Sequence, residues 1–149
     1  MTLQAWIQAG WLRTHDTRPA EIQHLWDVAH ADLRSAGEPQ HEPPLRFEYA
    51  YNAALKCCLI ALYAERARPG MVSDVHHKII RALPLVLGPD HGVSADYLDA
   101  CRERRDGLAT GPAAVIGEAD AESLRRFAED LGGHVRAWLQ EKHPTLAVG

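Results

Sequence analysis

Apolar residues recur at three-and-four spacing through most of the chain, and no stretch sustains the period-two alternation of a half-buried strand. Residues 3–10 predict a short helix with Trp6 and Trp11 as packing groups. The first long helix is predicted from about residue 17. Asp16 or Thr17 can cap it, Pro19 suits its first turn, and Glu21 complements the dipole there. Ile22, Leu25, Trp26, Ala29 and Leu33 form its apolar stripe, and Gly37 ends it. Residues 38–44 carry three prolines and read as a loop.

A second helix is predicted from Pro43 or Pro44 to about residue 66. Phe47, Ala50, Tyr51, Ala54, Leu55, Cys58, Ala61 and Leu62 give it a wide apolar stripe, so it is expected at the centre. Its alanines would let neighbouring helices approach closely. Arg68-Pro69-Gly70 breaks it. The third helix is capped by Ser73 or Asp74, and Val75, Ile79, Ile80, Leu83 and Leu87 keep its period. Pro84 is expected to kink or end it, because proline removes the bond to Ile80. A fourth helix, capped by Ser94, fades between Gly107 and Pro112. The fifth covers residues 119–142 with Leu124, Phe127, Leu131, Val135 and Trp138 on one face. Gly132 and Gly133 weaken it by about 1 kcal/mol each relative to alanine, which calls for close packing or a kink there. The expected fold is therefore all-α: an antiparallel up-and-down bundle of four to five helices in one domain. Residues 1–16 form an N-terminal extension and residues 17–142 the bundle core.

Composition narrows the function classes. The net charge of −4 excludes a strongly basic polyanion binder but leaves room for a local basic patch. No apolar run approaches the roughly 20 residues a membrane-spanning helix needs, and the N-terminus lacks the pattern of a signal peptide, so a cytoplasmic protein is expected. Of three cysteines, Cys57 and Cys58 are adjacent on a helix predicted to be buried; they read as core filler rather than as a disulfide framework. Nine histidines include no His-x-x-x-His pair, and no carboxylate cluster joins them, so no metal or cofactor is expected.

The candidate chemistry sits in Cys101-Arg102-Glu103-Arg104-Arg105-Asp106. Tyr97, Leu98, Cys101, Arg105 and Leu108 share one helical face, which puts Arg105 inside an apolar stripe. A guanidinium there must be paired or face a ligand. Either Asp106, Asp99 or a carboxylate of a neighbouring helix neutralises it, or Arg102, Arg104, Arg105 and Asp106 form a patch for a phosphate-bearing ligand. Tyr51 and Asn52 on the central helix are further candidate ligand contacts; their structural alternatives are a core ring and a hydrogen bond across the bundle. His76 and His77 point about 100° apart on a helix and cannot easily share one metal. The four tryptophans either cover the ends of the bundle or contribute to a dimer interface.

The order of these pieces resembles the HEPN superfamily of small bacterial helical bundles, which accompany minimal nucleotidyltransferases or act as ribonucleases. The resemblance rests on Phe47-Glu48-Tyr49-Ala50-Tyr51-Asn52-Ala53-Ala54-Leu55, on Arg68-Pro69 followed by His76-His77, on Arg102-Glu103-Arg104-Arg105-Asp106, and on a last helix with Trp138. It spans residues 17–139. In catalytic members a histidine follows the arginine after four to six residues. Arginine stabilises the phosphate and histidine moves the 2′-hydroxyl proton. Here those positions hold Thr110, Gly111 and Pro112, none of which is a base at neutral pH. The resemblance thus implies a non-catalytic homodimer that binds a nucleotide or RNA phosphate, or docks a partner such as a nucleotidyltransferase. Two alternatives stand beside it. One is a metal-independent toxin ribonuclease using Arg105, with Asp106 beside it and a relocated base at His77, His76 or His91. The other is a purely structural interaction module.

Overall fold

Helix α3 (Pro43–Ala64) has so many small and apolar side chains that thirteen of its 22 residues are buried. It therefore forms the axis of the molecule, whose computed structural model describes residues 1–149. Helices α2 (Pro19–Ala36) and α6 (Glu118–Lys142) pack on it, and so does α4 (Val75–Leu87), which in turn carries α5 (Gly92–Arg105). A sixth, short helix, α1 (Leu3–Gln8), precedes them. The result is the all-α bundle that the periodicity predicts, and no helix is long and apolar enough to cross a membrane.

One element departs from the sequence reading. Strand β1 (Leu12–Thr14) pairs antiparallel with β2 (Ala67–Pro69), with Leu12 opposite Pro69 and Thr14 opposite Ala67. Three-residue strands are too short to show a period. The pairing also depends on Gly70, where a Cβ would lie 2.3 Å from the Gly10 carbonyl oxygen. This ribbon ties residues 1–16 to the end of α3. Trp6 and Leu12 consequently belong to the same cluster of 32 buried side chains as the long helices.

The helix starts also differ from those expected. Arg18, not Asp16 or Thr17, is the N-cap of α2, and Glu21 accepts from its backbone N–H. Thr17 instead donates its hydroxyl to the Tyr63 carbonyl, anchoring the loop to α3. Asp74 precedes α4 in the left-handed region (φ 56°) and makes no side-chain cap. Ser94 lies inside α5, which starts at Gly92 directly after a short 3-10 turn. Helix α4 continues through Pro84 for less than one further turn and ends at Leu87. Helix α6 runs unbroken through Gly132-Gly133. A Cβ on Gly132 would meet Cys57 Sγ at 3.8 Å and the Trp26 ring at 4.0 Å, so this glycine sits where α6 lies against α2 and α3.

Candidate functional site

Three helices converge beneath the arginine cluster. Glu48 and Tyr51 lie one turn apart on α3, His76, His77 and Arg81 on α4, and Asp99, Arg102 and Arg105 at helical spacing on α5. Arg105 Nε donates to Glu48 Oε2 at 2.9 Å, Nη2 to Glu48 Oε1 at 3.0 Å, and Nη1 to Asp106 Oδ1 at 3.0 Å. This two-point fork on Glu48 is the strong form of an arginine–carboxylate pair. The guanidinium also lies over the Tyr51 ring, 5.1 Å from its centroid. Tyr51 is fully buried, and burial pushes its phenol well above the ordinary range. Its hydroxyl lies 3.0 Å from His76 Nδ1.

A second knot lies alongside. Asp99 is one of the few buried charged residues. It accepts from Arg102 Nε at 2.8 Å and from Arg81 Nη2 at 3.4 Å, and lies 3.0 Å from His77 Nδ1. Burial works to raise its pKa, but the bonds from Arg102 and His77 overcome this and hold the carboxyl below its usual value. Arg102 also approaches Asp106 at 3.6 Å and so links the two knots.

The structure corrects the placement of Arg105. Its side chain is 30% exposed, not embedded in an apolar stripe. The stripe fails because α5 ends at Arg105, Gly107 turns the chain left-handed (φ 75°), and Leu108 projects outward, 64% exposed. The buried face of α5 is Ala95, Leu98, Asp99 and Cys101. The expected neutralising partners are present: Asp106, and Glu48 from the neighbouring helix.

The other candidates separate into different surroundings. Arg104 leaves the group: it binds the carbonyls of Ala113 and Val115 and the Asp120 carboxylate, stapling the loop before α6. The Asn52 side chain is half-buried and makes no hydrogen bond across the bundle. His77 belongs to Asp99 rather than to Arg105, and His91 packs edge-on against His134. His76 is the histidine that reaches the Arg105 group, through Tyr51.

Comparison with protein-family models, with curated proteins and with solved structures finds no match to this chain. The chemistry of the face must be weighed on its own residues. Arg81, Arg102 and Arg105 stand among five carboxylates: Glu48, Asp96, Asp99, Glu103 and Asp106. Each of these arginines is already ion-paired with at least two of the carboxylates, and none of the molecule's four cavities is lined by Arg105, Tyr51 or His76.

Burial, followed by the nearby Arg105 charge, lowers the pKa of His76 below its ordinary value. The unfolded chain therefore takes up this proton first as pH falls. Stability is expected to be full above about pH 6.5 and to decline on acidification through the lowered value. In urea titrations from pH 7.5 to 5, His76→Asn should flatten this decline. An unchanged slope in the variant would mean that His76 is not desolvated.

Proposed function

We propose that the protein is a HEPN-like docking module that acts through the α3–α4–α5 face centred on Arg105, not through catalysis. The observation that carries this reading is the charge balance at Arg105: a surface guanidinium already held by Glu48 and Asp106. A phosphate would have to displace Glu48 and then sit among the remaining carboxylates, which repel it. A protein partner meets no such barrier, since it can exchange one carboxylate for another.

Exposed apolar groups flank the pair. Leu45 lies one turn before Glu48 on α3, and Leu108 lies three residues past Arg105. Arginine is enriched at the energetic centres of protein interfaces. The resemblance offers two partners, a second copy and a nucleotidyltransferase. The Glu48–Arg105 pair favours the second copy, because a two-fold axis beside it would set each Arg105 against the other copy's Glu48.

Sedimentation velocity across a concentration series tests this. The wild type is expected to be dimeric. Arg105→Ala and Leu108→Asp should each weaken the dimer by at least about tenfold, or about 1.4 kcal/mol, with melting temperatures nearly unchanged. A monomeric wild type, or an Arg105→Ala chain that simply unfolds, would refute the docking reading.

One observation favours the ribonuclease alternative: His76 shares Tyr51 with Arg105. If that group is catalytic, purified protein cleaves single-stranded or transfer RNA, and both Arg105→Ala and His76→Ala abolish cleavage. RNA left intact beside a working control enzyme removes this alternative.

A further inference from the structure

The ribbon that ties residues 1–16 to α3 carries charge of the opposite sign to the chain as a whole. Leu12 and Ala67 are buried in the core, so the alternation of the strands turns Arg13 and Arg68 outward. The two arginines stand directly opposite each other across the ribbon. Like charges at facing positions are destabilising, and nothing in the fold calls for this pair. Lys78 of α4 joins them, with its Nζ 3.9 Å from the centroid of the Trp11 ring.

No carboxylate answers these three cations. The acidic groups nearest the ribbon along the chain are used elsewhere, Asp16 by Arg66 and Glu65 by His143. Within residues 1–14 and 67–78 the only carboxylate is Asp74, which makes no side-chain cap, although the whole chain has a net charge of −4.

Apolar side chains project from the same place. The Gly70 N–H donates to the Trp11 carbonyl at 2.9 Å, which sets the following loop beside that ring. Met71 comes next and is 91% exposed. Val75 lies one turn before Lys78 on the same face of α4 and is exposed as well. A protruding apolar side chain beside cations and a tryptophan is the composition of a surface that lies on a bilayer. The cations meet acidic headgroups, and the apolar tip enters the boundary of the acyl chains.

Two other occupants fit this face less well. Trp11 is half-buried and already has Lys78 over its ring, so it is a poor platform for a nucleic-acid base. None of the four cavities is lined by Arg13, Arg68, Met71 or Lys78, so the face offers a peptide no groove. A lipid surface needs neither feature.

We propose that the outer face of the β1–β2 ribbon docks on an anionic membrane surface, with Arg13, Arg68 and Lys78 at the lipid headgroups and Met71 in the acyl boundary. This surface acts independently of the Arg105 face.

Co-sedimentation of the full chain with vesicles of phosphatidylcholine and phosphatidylserine, mixed two to one, tests it beside vesicles of phosphatidylcholine alone. The wild type is expected to bind only the anionic vesicles. It should be released as salt rises from ~0.1 to ~1 M, because the attraction is screened. Each cation near the surface strengthens binding about fivefold, so Arg13→Ala/Arg68→Ala should weaken it at least about tenfold. The melting temperature of that variant should hold or rise, since the like-charge pair is gone. Met71→Ser should weaken binding at least about threefold. Arg34→Ala/Arg136→Ala makes the same change in net charge at exposed positions of α2 and α6 and should leave binding intact. Any of these results would overturn the proposal: no binding to the anionic vesicles, equal binding to the neutral ones, a loss in the Arg34/Arg136 variant as large as in the ribbon variant, or no loss with Met71→Ser. Retention of polyuridylate or polyglutamate through Arg13 and Arg68, with the vesicles left unbound, would also overturn it and would assign the face to a soluble polyanion.

Discussion

Tyr51→Ala is expected to destabilise the protein by about 3–5 kcal/mol, the range for removing a large aromatic side chain from a packed core. Tyr51 is among the largest side chains with no exposure, and it lies at the centre of α3, where α4 and α5 also meet. The vacated space is lined by helices fixed by their own packing and cannot fully collapse. Tyr51→Phe separates the ring from the hydroxyl. It keeps the volume and removes only the contact with His76, so it should cost about 1 kcal/mol. Urea denaturation of the two variants checks both values. A loss below about 1 kcal/mol for alanine would mean that the ring is not a core group. If alanine unfolds the chain outright, the phenylalanine variant still separates packing from polarity. The same contrast bears on Tyr51 as a ligand contact: a ring this deeply buried supports the Arg105 face from below and does not meet a ligand directly.

Arg46→Ala should cost about 2–4 kcal/mol, although nothing in the sequence singles this residue out. Arg46 is 6% exposed. Its Nε donates to the Ala36 carbonyl at 2.8 Å, Nη1 bonds Glu118, and Nη2 lies 3.6 Å from Glu122. One side chain thus closes the C-terminus of α2, the start of α3 and the first turns of α6. Alanine strands the Ala36 carbonyl and empties the space of the alkyl stem. Arg46→Lys should recover only part of the loss, since one ammonium cannot serve three separate acceptors in the fixed directions of the guanidinium. Full recovery with lysine in thermal melts would show that charge alone matters there.

Arg46 and Arg105 illustrate why the polar half of the site was hard to read. By periodicity Arg46 is an ordinary charge in the first turn of a helix. Its burial depends on where α2 ends and α6 begins, elements ten and seventy-two residues away in sequence. Arg105 looked anomalous because Tyr97 and Leu108 shared its face, but exposure of that face depends on the point where α5 stops. Glu48 stood in plain view in the second-helix segment. Only the crossing of α3 and α5 makes it the partner of Arg105, fifty-seven residues away. Thr17 and Ser94 failed as caps for a related reason: capping residues are interchangeable locally, and tertiary contacts such as Thr17 to Tyr63 decide which one is used.

The sequence by itself determined the helical class, the central place of α3, the end of α2 at Gly37 and the burial of Cys57 and Cys58. These follow from local periodicity and from Pro and Gly positions, which act within a few residues of where they are written. Only the tertiary structure decided that β1 pairs with β2, that Asp99 gathers Arg81, Arg102 and His77, that His76 rather than His77 reaches the Arg105 group, and that cavities lined by His30, Leu33 and Glu129 open between α2 and α6. Each of these is a meeting of side chains from separate helices. Its energy depends on distance and on exclusion of water, and neither quantity exists along the chain until the helices have packed.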